Sequence, residues 1–239
     1  MTLNPKLDPS CVLCFPFEES GGRIAYDQSN YGNNGTIYGA IRTLGKIRNG
    51  LYFDGVDDWI KVPNSPSLQP SKQITIEMWV STPPGITAKT YLLHKFDDAS
   101  PYPGYAIALN NDGDTGHVGV WVGGEFYVNG ITDIRDGKFH HIAGGTDGSK
   151  TFLYLDGKLE KAVSQTPNLV STRYLSIGPG AVPGQWFKGL IDEVRIYNRA
   201  LSAKEIYTHY IYGLQKKIQP RFPEFRRELR RQIFPTIRV

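Results

Sequence analysis

Residues 73–81 read QITIEMWVS. Side chains of an extended chain alternate between two faces. Ile74, Ile76, Met78 and Val80 therefore share one side, and Thr75, Glu77, Trp79 and Ser81 share the other. A period of two with one apolar side predicts a strand lying on a core. The reading extends outward to GYAIALN at 104–110, HVGVWVG at 117–123 and KTFLYLDG at 150–157, all strand-length and rich in β-formers. Asp-Gly stands at 54–55, 112–113, 136–137, 147–148 and 156–157, and Asn-Gly at 34–35, 49–50 and 129–130. These pairs tolerate the positive φ of tight hairpins.

About a dozen such strands, with no helical pattern between them, predict an all-β, two-sheet antiparallel sandwich rather than βαβ units. A chain of 239 residues is long enough to bury its core as one such unit. The pattern changes after Asn198. Ser202 followed by Glu205 has the spacing of a capping box, and the helix it opens should turn Ile206, His209 and Tyr210 toward the sandwich and stop at Gly213. Beyond Pro220 and Pro223, Phe225, Leu229 and Ile233 recur every four residues, flanked by Arg226, Arg227, Arg230 and Arg231. This predicts a second short basic helix, marginal alone and in need of a surface to pack on. The expected organisation is an N-terminal arm (1–9), a sandwich domain (10–213) and a basic amphipathic C-terminal tail (214–239).

Charge follows the same division. The tail holds eight basic and two acidic residues, hence +6, which leaves −2 on residues 1–213 from the total of +4. No stretch approaches the roughly 18 continuous apolar residues of a membrane span. The opening MTLNPKLDPSCVLC lacks the basic start and apolar run of a secretory leader, so the expectation is either a leader already removed or another route of release, such as that of virus particles. Cys11 and Cys14 are three apart. On a regular strand they point to opposite faces and should not bridge, and a lone C-x-x-C makes a poor zinc site.

Four segments resemble the laminin-G-like, concanavalin-A-like jelly-roll family. They are CFPFEESGGRIAYDQSNYGNNGTIYG at 14–39, LYFDGVDDWIKVPNSPSL at 51–68 with ITIEMWV at 74–80, FHHIAGGTDGSKTFLYLDGKL at 139–159, and LSIGPG at 175–180 leading into FKGLIDEVRIYNRALSAKEI at 187–206. Their order and spacing fit over roughly residues 10–212. The resemblance implies two stacked antiparallel sheets with a ligand or calcium site on one rim. It leaves function open, because this fold carries lectins, adhesins, glycanases and particle surface proteins.

Simple alternation puts Asp192 on the side of Leu190, Val194 and Ile196, the core face. A carboxylate there must be paired, hydrogen-bonded or bound to a metal. The resemblance implies calcium held by Asp192 and backbone carbonyls of early strands, and Glu18, Asp27 or Asp54 are the candidate further oxygen donors. The alternative is that Asp192 caps backbone N–H groups or pairs with an arginine. Asp54, Asp57 and Asp58 cluster in one Asp-Gly hairpin, readable as a metal or glycan loop or as solvated turn acids. Residues 110–116 space oxygen donors like a calcium loop but lack its glycine position and its final glutamate, and read as a polar turn. His140 and His141 should point to opposite faces, one toward the core and one exposed, with no nucleophile motif beside them.

Catalytic members of this fold set acids at alternate positions on one strand. Glu77 and Glu125 each stand alone, so no enzyme is expected. Tyr102, Tyr105, Trp121, Tyr127 and Trp186 are the candidates for stacking on a sugar. The apolar residues of the tail favour docking on protein subunits over nucleic acid. The resulting expectation is a non-catalytic recognition protein displayed on a virion or other particle surface and anchored by its tail. The alternative is a secreted, calcium-dependent carbohydrate-binding or adhesion module.

Overall fold

The alternation of residues 74–81 is realised in the computed structural model, which describes residues 4–97, 102–123, 127–179 and 185–215. In chain order the strands are β1 (Cys11–Phe15), β2 (Ile24–Ala25), β3 (Gly35–Tyr38), β4 (Ile41–Leu44), β5 (Asn49–Asp54), β6 (Trp59–Val62), β7 (Ile74–Ser81), β8 (Thr90–Phe96), β9 (Gly104–Leu109), β10 (Val118–Trp121), β11 (Val128–Asn129), β12 (Phe139–Thr146), β13 (Lys150–Leu155), β14 (Lys158–Ser164), β15 (Leu175–Ile177) and β16 (Lys188–Tyr197). One helix, α1 (Ala203–Gln215), follows among the described residues.

The strands form two antiparallel sheets. The first runs β14-β13-β12-β7-β16-β5-β4, with β1 also paired to β16; the second runs β11-β10-β9-β8-β15-β6-β3-β2. Their inner faces meet in one apolar core. Ile74, Ile76, Met78 and Val80 of β7 and Ile191, Val194 and Ile196 of β16 pack with Ile60, Val62, Ile107, Leu109 and Val120 from the second sheet. Burying each such side chain stabilises the fold by about 1.5–3 kcal/mol. The sheets approach closely at Gly144, where an added Cβ would lie 2.5 Å from a Val120 methyl.

Two bulges change what alternation predicts. On β16 the register steps from Asp192↔Trp79 to Arg195↔Glu77, so three steps on β16 oppose two on β7. Glu193 takes the extra place with φ 52°. An extra residue reverses the facing of everything after it. Val194 and Ile196 therefore enter the core, whereas Asp192 lies on the outer face beside Trp79, not on the core face that alternation assigned. On β1, Cys11 pairs with Tyr197 and Cys14 with Arg195, with a register shift between Cys11 and Leu13. The two cysteines consequently share the outer face, in a small cluster with Phe152, Tyr197, Leu201 and Ile206. The expectation of opposite faces is overturned here.

Helix α1 starts as its capping box requires. The Ser202 amide and hydroxyl both donate to the Glu205 carboxylate, at 2.8 and 2.7 Å. Ile206 and His209 are buried against the first sheet, and Tyr210 stacks on Trp79 at 5.8 Å between ring centroids. Gly213 does not end the helix, which continues to Gln215. Its glycine has a packing reason instead: a Cβ there would lie 2.4 Å from the Trp79 ring. The expected second helix, with Phe225, Arg226, Arg227, Leu229, Arg230, Arg231 and Ile233, lies outside the described residues. No helix among the described residues is long and apolar enough to cross a membrane.

Candidate functional site

The outer face of the second sheet carries aromatic side chains where a solvated sheet face is ordinarily polar. On its β3–β6 side, Tyr38 and Trp59 are cross-strand partners. Their neighbours Ile37 and Ile60 enter the core, so these two rings must point outward. They stack at 4.8 Å and 17°. Tyr174, just before β15, extends the row at 5.9 Å from Trp59, and the Lys61 ammonium lies 4.8 Å over the Tyr174 ring. Tyr38 is 43% exposed, and Trp59 and Tyr174 are half-buried. The Trp59 and Tyr174 rings are tilted by 49° to each other, and the row is most open at Tyr38.

A second aromatic group occupies the β8–β10 side. Phe96 meets Trp121 edge-on at 5.1 Å, Trp121 stacks on Tyr127 at 6.3 Å, and the Tyr127 hydroxyl donates to that of Tyr91 at 3.2 Å. The Lys89 ammonium sits about 5 Å over both tyrosine rings. Tyr91 and Trp121 are buried, so these rings chiefly pack on each other.

Of the five aromatic residues singled out from sequence, only Trp121 and Tyr127 come together. Tyr102 is exposed and Trp186 half-buried, with no ring partner given by the described residues. Tyr105 is a correction: it has no exposure, lies in the main core, and its hydroxyl donates to the Leu68 carbonyl at 3.1 Å. Burial holds that phenol far above its ordinary range. The Tyr38–Trp59–Tyr174 row escaped the sequence reading, although the alternation in GTIYG and DDWIKV carried its signal.

The β5–β6 hairpin ends beside this row. Carboxylate oxygens of Asp54, Asp57 and Asp58 lie within 4.8 Å of one another. The Asp54 amide donates to Asp58 Oδ2, and the Val56 amide to Asp54 Oδ1, both at 2.8 Å. Burial, then the charges of Asp54 and Asp57, hold the Asp58 carboxyl above its ordinary value against its hydrogen bond from the Asp54 amide. Gly39, next to Tyr38, leaves room for this carboxylate: a Cβ would lie 1.9 Å from Asp58 Oδ1. Three close carboxylates are a hard-oxygen donor set that fits calcium.

The other expected metal ligands do not assemble. Of the four residues read as donors, the acidic cluster contains only Asp54. Asp192 Oδ2 accepts from the Ile47 amide at 2.8 Å and Oδ1 from the Glu193 amide at 2.7 Å. It thus caps backbone N–H groups, and burial, with the charges of Glu193 and Glu18, pushes its carboxyl well up. Asp54 pairs with Lys188, four residues along β16 from Asp192. Asp27 is engaged in its own turn, accepting from the amides of Cys14, Ser29 and Asn33 and the Ser29 hydroxyl at 2.7–2.9 Å. Glu18 faces Arg48 at 3.2 Å.

Helix α1 packs on part of the outer face of the first sheet. Glu77 is sealed beneath it, its Oε2 2.7 Å from His209 Nδ1 and its Oε1 3.8 Å from His141 Nε2. Burial raises the Glu77 carboxyl, but the bond to His209 and nearby positive charge outweigh it and hold the group low. His141, expected to be one of an exposed and a core-facing pair, is buried on this outer face, while His140 is hydrogen-bonded to Asp156 at 2.8 Å.

Similar solved structures share the fold. The binding domain of Paraclostridial Mosquitocidal Protein 1 aligns at a TM-score of 0.72 and 16% identity over 86% of this chain and 53% of that one. Domain 4 of AbnA, a GH43 extracellular arabinanase from Geobacillus stearothermophilus solved with arabinotriose, aligns at 0.67 and 22% identity over 83% and 97%. Trypanosoma rangeli sialidase aligns at 0.70 and 15% identity over 89% and 34%. The chain thus spans about half of the mosquitocidal binding domain and a third of the sialidase. A search of curated protein sequences found no match. A family model, Laminin_G_3, matches residues 54–207, more than half of the chain and including both the acidic hairpin and the β16 bulge, and on that match the protein belongs to the concanavalin A-like lectin/glucanases superfamily.

Proposed function

We propose that this chain is a non-catalytic carbohydrate-recognition module that binds its glycan on the Tyr38–Trp59–Tyr174 row. The observation that carries the reading is a row of three neighbouring aromatic rings, with Tyr38 exposed, on the outer face of the second sheet. Such rings stack on the apolar face of a sugar. Lys61 and the Asp54–Asp58 hairpin supply polar groups at its edge, and calcium held by Asp54, Asp57 and Asp58 would add a point for sugar hydroxyls. The family match and the arabinotriose complex of the AbnA domain favour a glycan ligand. An extracellular setting suits such a module.

Glycan-array binding followed by titration calorimetry tests this. Trp59→Ala should weaken binding at least tenfold, about 1.4 kcal/mol, without altering the fold. Unchanged affinity would sink the assignment of the row. Turnover of any bound oligosaccharide would sink the non-catalytic reading.

Display on a virion or other particle is a second reading, favoured by the basic amphipathic sequence of residues 214–239. A defined oligomer of the full chain that becomes a monomer when residues 216–239 are removed supports it. Equal masses per protomer in both forms count against it.

A further inference from the structure

We infer that Cys11 and Cys14 are a redox-active dithiol that closes to an intrachain disulfide when a low-molecular-weight disulfide reaches the cavity beside Arg195. The bulge in β1 is the origin of the site. It places Cys11 opposite Tyr197 and Cys14 opposite Arg195, two residues apart on the partner strand. Two strand residues span about 6.7 Å, at the upper edge of the Cα separation that a disulfide accepts. Both side chains lie on the same outer face and pack in one small cluster.

The surroundings divide the roles. Cys14 lines a cavity of about 300 Å³ with Asn4, Gln28, Glu18, Arg195 and Tyr212. Cys11 lies behind it with no exposure, its thiol also within reach of the Leu13 carbonyl at 3.5 Å. The hydrogen bond from Cys11 and the charge of Arg195 hold the Cys14 thiol below its ordinary range against burial, while the same bond pushes Cys11 up. A thiolate is the attacking species, and neighbouring positive charge favours it. Cys14, which lines the cavity, is therefore the attacking sulfur, and Cys11, buried behind it, the resolving one.

The chemistry is thiol–disulfide exchange. The Cys14 thiolate attacks one sulfur of a small disulfide such as oxidised glutathione. A mixed disulfide forms and one small thiolate leaves. Cys11 then gives up its proton to that thiolate, attacks the Cys14 sulfur and displaces the second small thiolate. The two protein thiols are oxidised, and one small disulfide is reduced to two thiols.

The test uses the full chain under native conditions across a series of oxidised to reduced glutathione, with acid quench, alkylation in denaturant and intact mass. Both thiols should be alkylated at the reducing end and neither at the oxidising end, with the peptide carrying residues 11–14 lighter by two hydrogens. Cys11→Ser should instead retain a glutathione adduct on Cys14. Thiols that stay alkylatable across the series overturn the inference, as do intermolecular disulfides or an unresolved adduct on the natural chain. The result on the natural chain decides the matter even if the serine variant folds poorly.

Discussion

The two outer faces of this sandwich reverse what a solvated sheet ordinarily shows. The first sheet turns Glu77, His141, Asp192 and Arg195 outward, yet all four are buried. The second turns Tyr38, Trp59 and Tyr174 outward and leaves Tyr38 exposed. Buried polar groups and exposed large apolar groups are the informative deviations from default burial. On the first face, an amphipathic helix covers Glu77 and His141 and supplies His209 to the first of them, while the turn between β4 and β5 lies against Asp192. On the second, no described element covers the aromatic row, on which the proposed glycan would bind. One face is part of the folding unit and the other is a surface in waiting.

Breaking the covered face should have the largest effect. Leaving a buried hydrogen-bonding group without its partner costs about 1–3 kcal/mol, and more where a charge is involved. Glu77→Ala strands the His209 ring and removes a negative charge near Arg195, so denaturant unfolding should show a loss at the upper end of that range. Gly213→Val drives a side chain into the Trp79 ring and should cost about 1–3 kcal/mol, lifting α1 and exposing Trp79 to fluorescence quenchers. Either variant retaining natural stability would mean that the helix contributes little to the fold.

Acid should act on the same face. Burial holds the His141 imidazole down at about 4, with Glu77 only partly opposing it. In the unfolded chain it takes a proton near 6.5. Between about 4 and 6.5 the unfolded state binds more protons, so stability falls as pH falls through that window, by up to about 3 kcal/mol. His140 has the opposite sign. Its hydrogen bond to Asp156 raises its pKa, so that contribution is complete below about 6.5 and fades as pH rises through the folded value. Unfolding curves at pH 7 and 4.5 should separate the natural chain from His141→Asn, whose acid limb should be flatter. Parallel pH profiles would exclude His141 as the source.

The open face should respond in the reverse manner. Trp59→Ala should leave unfolding free energy within about 1 kcal/mol of the natural chain, because its ring is only half-buried, while glycan affinity drops tenfold or more. A large stability loss would make the row structural. The smallest effect belongs to the acidic hairpin: Asp57→Asn, or removal of calcium by a chelator, should weaken glycan binding a few-fold and leave the fold intact. Binding that is indifferent to calcium would restrict recognition to the aromatic row and Lys61.

The legibility of these features tracks their range along the chain. Alternation in residues 74–81, the Asp-Gly and Asn-Gly turns and the Ser202–Glu205 cap depend on neighbours a few residues away, and all were readable. Helix α1 was likewise readable as facing the sandwich through Ile206 and His209. Facing failed at Asp192 and at Cys11 and Cys14 for one reason. A single extra residue in a strand reverses all subsequent side chains, and the register against the partner strand sets where that residue falls. Gly213 failed differently, because a glycine chosen for packing and a glycine chosen to end a helix look alike in one dimension.

Local periodicity and turn chemistry, then, were enough to specify the strands, the two-sheet class and the capped helix, since hydrogen-bond geometry and side-chain alternation are properties of short segments. Which aromatic residues share a surface and which polar groups lie beneath α1 depended on partners distant in the chain, such as Glu77 and His209, more than a hundred residues apart. Those juxtapositions arise only when strand order and register are set by packing one sheet on the other, and no window of the chain contains both members of such a pair.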